Sequence, residues 1–261
     1  MIISESFPLE LAQLIRGCRW RENRDGMSGV SVYHLERLSL PDFFLKISSN
    51  PVQLDLRPEY ERLSWLDGKL PVPEVLFYGE HEERQYLLMT AIAGRDASQR
   101  ELLREPARLV RLLAEGLCMI HAVDWRDCPF RRPLDVMIET AQQRVEQGSV
   151  DEREFDDERR GWTARSALSQ LLACRPTAEE WCFVHGDYCL PNILIQRDRV
   201  SGFIDWGRAG VADRYQDLAL AERSIIYNLS PQWVQPFYDA YGLHEVDEDR
   251  IHFYKLLDEF F

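Results

Sequence analysis

Along the first third of the chain, apolar residues fall in short β-branched and aromatic runs, whereas over most of the remainder they recur at helical spacing. Val30 to Arg37 and Phe43 to Ser48 flank Ser39-Leu40-Pro41-Asp42, turn chemistry that predicts a hairpin. Pro58 suits the first turn of a helix carrying Glu59, Leu63 and Leu66 on or near one face. Val75 to Tyr78 and Tyr86 to Thr90 read as two further strands around His81-Glu82-Glu83-Arg84. After Ala93-Gly94 the period changes. Leu109, Leu112, Leu113, Leu117 and Ile120 follow Pro106 at helical intervals, which predicts a buried helix. Another helix is expected from Asp135 to Gln147, stopped by Gly148 and followed by the acidic run Asp151 to Glu158. The short apolar runs Trp181 to Val184, Ile193 to Ile195 and Val200 to Ile204 read as strands, and helical patterns resume at Asp213. The order is a small β-rich part built around one helix, a joint near residues 90 to 95, and a larger helical part with a few strands in its middle.

Composition narrows the function classes. With 261 residues and 45% hydrophobic side chains the chain can bury a core, and 29% charged with 11% aromatic residues excludes a disordered chain. The balance of 31 Lys plus Arg against 44 Asp plus Glu gives a formal charge of -13. That field repels phosphate backbones and anionic lipid, so neither nucleic acid nor a membrane surface is the expected partner. A small polycation would be attracted, although at physiological salt the field is screened over roughly 8 Å and only carboxylates lining a site act strongly. Six cysteines, with no C-x-x-C pair and no metal-type spacing to histidine, suit a reduced compartment. Neither a signal peptide nor a bilayer-length apolar stretch is visible, so a cytoplasmic protein is expected.

The chemistry lies in Val184-His185-Gly186-Asp187-Tyr188-Cys189-Leu190-Pro191-Asn192, followed by Gly202-Phe203-Ile204-Asp205-Trp206-Gly207. An Asp and an Asn stand five residues apart on one loop, and a second Asp ends the next strand beside a Gly. Phosphoryl transfer asks for that set: a carboxylate at the attacking hydroxyl, and an amide with another carboxylate to hold Mg²⁺ on the nucleotide phosphates. The pattern resembles the kinase catalytic loop H-x-D-x-x-x-x-N followed by D-x-G, with Gly186 where protein kinases carry Arg and Trp206 where they carry Phe. It looks like the aminoglycoside-phosphotransferase branch of the kinase-like fold.

That resemblance implies an α+β, bilobal protein-kinase-like fold. A small N-terminal antiparallel β-sheet lobe with one key helix, residues 1–93, would bind nucleotide; a larger, mainly α-helical C-terminal lobe, residues 94–261, would hold catalysis and acceptor. Lys46, ending its strand, would reach the α- and β-phosphates and pair with a helix carboxylate, Glu59 because it opens the following helix, with Glu61 the competitor. Asp25 to Val32 would cover the phosphates with backbone N–H groups around Ser28, Phe44 would lie against the adenine, and the linker through Thr90 and Ile92 would bond the adenine edge. Asp187 would be the catalytic residue, Asn192 and Asp205 the Mg²⁺ ligands, and ATP or GTP the donor. His185 would secure the loop, His121 would be a packed core histidine, and Asp213 and Asp217, opening a helix, would be structural.

The acceptor follows from a closer resemblance, to the aminoglycoside 3'-phosphotransferases, which covers essentially the whole chain. It rests on Trp65 to Pro73, Asp127-Cys128-Pro129-Phe130, His185 to Asn192, Ser201 to Gly210, Ala212 to Asp217 and Leu256 to Phe261. It implies ATP-dependent phosphorylation of the 3'-hydroxyl of kanamycin- and neomycin-type antibiotics, hence resistance, by a bacterial cytoplasmic enzyme that is a monomer or weak dimer. Glu154, Asp156 and Asp157 of the acidic loop, Arg208, Asp258, Glu259 and the carboxylate of Phe261 would be the substrate-binding residues. Carboxylates suit the role, because each substrate ammonium needs an acceptor oxygen. Arg153 inside that loop, and Tyr227 where some relatives carry a carboxylate, depart from the family pattern. A kinase of choline or of a macrolide, and a nucleotide-binding pseudokinase module, are the alternatives.

Overall fold

The computed structural model describes residues 7–23, 30–38, 40–52 and 54–261. The chain forms two compact units. One takes the described residues up to Gly94 together with Ser201–Arg208, and the other takes Arg95–Val200 and Ala209–Phe261.

The first unit is built on a five-stranded sheet of β1 (Arg19–Asn23), β2 (Ser31–Glu36), β3 (Phe43–Ser48), β4 (Val75–His81) and β5 (Arg84–Thr90), in the order β1-β2-β3-β5-β4. Every neighbouring pair is antiparallel. The expected hairpin is β2–β3, in register Val32↔Lys46 and His34↔Phe44. Leu35, Phe43, Leu45, Tyr86 and Leu88 put their side chains into one core, closed by Leu11 and Ile15. Leu11 belongs to α1 (Leu9–Leu14), a short helix the sequence pattern did not predict. The β4–β5 turn is also tighter than expected. His81 pairs with Arg84, so the loop is only Glu82-Glu83, both at positive φ, 49° and 60°. Two left-handed residues are what a two-residue hairpin loop matching the strand twist requires, here without the usual Gly or Asn. α2 (Arg57–Leu66) starts with Pro58 in its first turn and buries Glu59, Leu63 and Leu66.

In the second unit α3 (Arg100–Leu103) and α4 (Pro106–His121) follow the short strand β6 (Arg95–Asp96). α4 buries Leu109, Val110, Leu112, Leu113, Leu117 and Ile120, each side chain contributing about 1.5–3 kcal/mol of apolar burial. It packs on α8 (Val234–Tyr241), while α7 (Tyr215–Asn228) packs on α9 (Glu248–Asp258). α5 (Leu134–Glu146) ends before Gly148, whose φ of 66° is the left-handed stop the sequence signals. α6 (Ala164–Ala173), closed by a reciprocal Thr163–Ser166 capping box, was not anticipated. The strands are β7 (Trp181–Val184), β8 (Ile193–Gln196) and β10 (Gly210–Asp213); β9 (Arg199–Phe203) carries the chain from this unit into the first. β10 pairs antiparallel with β7 and corrects one expectation. Asp213 does not open a helix but ends this strand, and its Oδ1 accepts the Tyr215 N–H at 3.0 Å. Among the described residues no helix is long and apolar enough to cross a membrane.

Candidate active site

Lys46 sits mid-strand on β3, and its ammonium meets two carboxylates from the same unit. Its Nζ donates to Glu59 at 2.7 and 2.8 Å, and to Asp205 Oδ1 at 3.0 Å. The helix partner is thus Glu59. Glu61, two residues on and about 200° round the helix, is exposed. Burial alone would lower the Lys46 ammonium, but the carboxylates of Glu59 and Asp205 outweigh it and raise it, so the lysine stays charged. Burial also pushes the Glu59 carboxyl above the usual range, against the pull of Lys46. Glu59 accepts the Trp206 backbone N–H as well, which ties α2 to the turn after Asp205. Trp206 is fully buried, its indole Nε1–H donating to Phe203 O at 3.1 Å. Asp205 itself is half-exposed, at a left-handed φ of 67°. A non-glycine residue there carries a strain of about 1 kcal/mol or more, which the surrounding anchors must hold.

Phe44 stacks on His34, ring centroids 4.9 Å apart and 21° from parallel. After β5 the backbone N–H of Thr90 goes to Glu74 O and that of Ala91 to Asp42 O, both at 2.9 Å. The Ile92 N–H has no partner among the described residues. Ser28 and most of its loop lie outside the described residues.

In the second unit the chain leaves β7 through His185 and Gly186, whose φ is 81°. Both backbone N–H groups are held by Asp217 of α7: His185 N to Oδ2 at 2.7 Å and Gly186 N to Oδ1 at 2.8 Å. Asp217 also meets His121 Nε2 at 3.2 Å, and the other ring nitrogen of His121 meets the Tyr241 hydroxyl at 2.8 Å. His185 is buried, and its Nδ1 accepts the Asp187 N–H at 3.3 Å. Asp187, half-buried, therefore rides on a loop whose backbone donors are satisfied by a buried carboxylate. The Asn192 amide nitrogen donates to Asp187 O at 3.0 Å and to Asp187 Oδ2 at 2.9 Å, which fixes the two functional side chains to each other. That leaves the Asn192 carbonyl oxygen as the acceptor a cation would use. The sequence pattern understated Asp217, whose carboxylate does more than face a helix dipole. Its signal is long-range, visible only once β7 and α7 are adjacent.

The acidic loop and the end of α9 carry the residues expected to bind the acceptor. Glu154 and Asp157 are exposed and Asp156 is half-buried. Asp258 and Glu259 each hold an arginine: Arg223 donates to Asp258, and Arg159 Nη1 to Glu259 at 2.8 Å. Arg153, the basic residue of the loop, is clamped by Asp151, whose carboxyl it pulls down to about 2. Arg208 is half-buried, and Phe261 and Tyr227 are exposed, Tyr227 the more fully. Among the described residues no three His, Cys, Asp or Glu side chains form a ready metal cage. Mg²⁺ is commonly held by one or two protein oxygens plus substrate phosphates, so an amide and a half-exposed carboxylate fit its needs.

Comparison with known proteins places this arrangement. The model of the phosphotransferase enzyme family matches residues 19–254. The chain belongs to that family. Within it, the chain is 40% identical over 259 residues to an aminoglycoside 3'-phosphotransferase of Niallia circulans, covering 99% of this chain and 98% of that one. A crystal structure of aminoglycoside-3'-phosphotransferase of type VIII superposes with a TM-score of 0.85 at 38% identity, over 94% of each chain. An aminoglycoside phosphotransferase from Streptomyces rimosus, solved with ADP and streptomycin, gives a TM-score of 0.76 at 27% identity, over 90% of this chain and 94% of that one. The α+β, kinase-like architecture is therefore that of the phosphotransferase family.

Proposed function

We propose that the chain transfers the γ-phosphoryl group of ATP to the 3'-hydroxyl of kanamycin- and neomycin-type aminoglycosides, and so confers resistance to them. The observation that carries the reading is Lys46 held between Glu59 and Asp205, which gives a nucleotide triphosphate one fixed, permanently charged contact. The full-length likeness to aminoglycoside 3'-phosphotransferases supports the acceptor. The exposed carboxylates Glu154 and Asp157 suit a polyammonium sugar.

In this reading the first unit binds the nucleotide. The base lies by Phe44 and takes the Ile92 N–H, while Thr90 closes the strand behind it. Lys46 neutralises phosphate charge, and backbone around Ser28 covers the phosphates. Asn192 and Asp205 would supply an amide and a carboxylate oxygen to Mg²⁺, which would offset charge on the phosphates when bound. Asp187 accepts a hydrogen bond from the acceptor hydroxyl, orients it in line with the γ-phosphorus and takes its proton as the new P–O bond forms and ADP leaves. The Asn192 amide donor holds the Asp187 carboxylate for that task. Arg208 and the Phe261 carboxylate belong to the acceptor side.

Turnover with ATP and, separately, GTP over a panel of kanamycin, neomycin, choline and a macrolide tests the assignment, with NMR of the product locating the phosphate. Phosphate on the 3' oxygen of kanamycin is expected. Phosphate on another oxygen, turnover with choline or the macrolide alone, or nucleotide binding with no transfer overturns it.

A further inference from the structure

Two arginines knot the acidic loop to the end of α9. Arg159 Nη1 donates to Glu259 Oε1 at 2.8 Å and stands 3.5 Å from Asp156 Oδ2. Both Glu259 oxygens accept the Asp156 backbone N–H, each at 3.2 Å. From α7, Arg223 Nη1 lies 3.7 Å from the same Asp156 oxygen, and its Nη2 donates to Asp258. Two guanidinium groups thus meet three carboxylates from segments about a hundred residues apart. The pair at the centre is dry, its side chains 2% exposed for Arg159 and 3% for Glu259.

Such a pair is poorly explained by stability. Burying two charges costs about as much as their attraction returns, and an apolar pair of similar volume is often no worse. Here the cost is higher, because Nε and Nη2 of Arg159 find no hydrogen-bond partner among the described residues. What the pair does supply is register. Phe155 is the loop's buried apolar residue, and Asp156 next to it is fastened by its N–H to Glu259 and by its carboxylate to both arginines.

We propose that Arg159 is a positioning residue of the acceptor site: through Glu259 it locks loop 151–158 onto the end of α9, so that Glu154 and Asp157 present their carboxylates at a fixed place. The inference rests on the acceptor reading above and alters it at one point. Glu259 serves the substrate as the anchor of the loop, its two oxygens sharing the Asp156 N–H and Oε1 taking Arg159. The lock has a protonation requirement. Burial, with Asp156 adding to it, pushes the Glu259 carboxyl up to about 7, and Arg159 and Arg223 hold it from going higher. The groups facing it are Asp156 and Arg159 of the loop, Arg223 of α7 and its neighbour Asp258. As the pH falls through that value Glu259 takes a proton and the lock weakens.

Steady-state kinetics of Arg159→Met, Arg159→Lys, Glu259→Gln and the double variant Arg159→Met/Glu259→Gln test the proposal. Arg159→Met should raise the KM for kanamycin about tenfold, the worth of one charged hydrogen bond, with kcat and the KM for ATP within about twofold. Arg159→Lys should recover most of the loss, and the double variant should be no worse than Arg159→Met alone, since both changes break one contact. The fall in kcat/KM for kanamycin as the pH drops through about 7 should be smaller in Arg159→Met and in Glu259→Gln, where the lock is already open, the substrate's own titration being common to all. Losses that multiply in the double variant would mean that Glu259 meets the substrate independently, and a KM for ATP rising in step would mean general damage; either overturns the proposal. Chymotrypsin separates this failure from failure of the acceptor reading. Cleavage after Phe155 should be faster in Arg159→Met whatever the enzyme phosphorylates, and an unchanged rate refutes the lock even if kanamycin is the substrate.

Discussion

Replacing Lys46 by methionine keeps most of the side-chain volume and removes the charge that Glu59 and Asp205 share. At an effective dielectric near 20, each contact at about 3 Å represents about 6 kcal/mol of gross attraction, most of it offset by desolvation. Asp205 is half-exposed, so water screens its share, whereas Glu59 is buried and has no such recourse. Leaving a buried charge uncompensated costs about 3–5 kcal/mol. The cost should depend on pH, because burial already raises the Glu59 carboxyl and the loss of Lys46 raises it further. A carboxyl whose folded-state pKa lies above its unfolded one destabilises the fold as the pH rises between the two, by about 1.4 kcal/mol per unit. Lys46 adds no slope of its own in this range: its raised ammonium stabilises below the unfolded value of about 10.4 and loses that only as the pH climbs through the still higher folded one. Thermal unfolding of parent and variant should therefore differ by about 6–20 °C at pH 8, at about 2–4 °C per kcal/mol, and by much less at pH 5. Lys46→Met/Glu59→Leu should regain most of the loss at pH 8. A deficit of equal size at both pH values, or no recovery in the double variant, would refute the claim that an unpaired Glu59 is the cause.

Three further outcomes are expected. Asp187→Asn should lower turnover by about 10²- to 10⁴-fold while leaving ATP affinity, read by calorimetry, within about twofold; near-normal turnover would show that another group takes the proton. Asp217→Asn should cost about 2–3 kcal/mol in urea unfolding, because both Asp217 oxygens accept backbone N–H groups and an amide turns a donor toward one of them. A loss under about 0.5 kcal/mol would sink that account. Gly202→Ala should cost about 1–3 kcal/mol, since its Cβ would lie 2.7 Å from both Ile92 Cδ1 and the Pro71 carbonyl oxygen. That carbonyl already accepts the Phe203 N–H at 3.0 Å and cannot retreat freely, so an unchanged midpoint would mean the strand yields.

What could be read from the sequence was local. The β2–β3 hairpin, α2 and α4 carry their signals within a few residues: a turn between two β-branched runs, a Pro in the first turn, leucines at helical spacing. The Asp187–Asn192 loop was legible for the same reason, since its two side chains are only five residues apart and hydrogen-bonded to each other. β10 was not, because all four of its residues are buried, so no alternation marks it, and its partner β7 is distant in sequence. α6 relies on alanines and a Thr-Ser cap, and α1 is only six residues long. The choice between Glu59 and Glu61 needed the helix placed against β3, after which the buried position wins. Asp217, Arg159 and Arg223 act on residues tens to a hundred positions away, and no periodicity names a partner at that range.

The charge balance acquires a different meaning once those partners are known. Loop 151–160 holds six acidic and three basic residues, a formal charge of -3. Much of that acidity is already committed. Asp151 clamps Arg153, Asp156 belongs to the knot with Glu259, and Glu152 caps α6 by accepting the Ala164 N–H at 2.7 Å. Asp258 and Glu259 hold Arg223 and Arg159, with little of either side chain exposed. In the proposed reading a polyammonium ligand would be recognised by the few carboxylates the knot leaves exposed and by where it holds them, since bulk charge at distances beyond about 8 Å is screened. The arginines of the loop, which look in the sequence like flaws in an acidic surface, are what give that surface a shape.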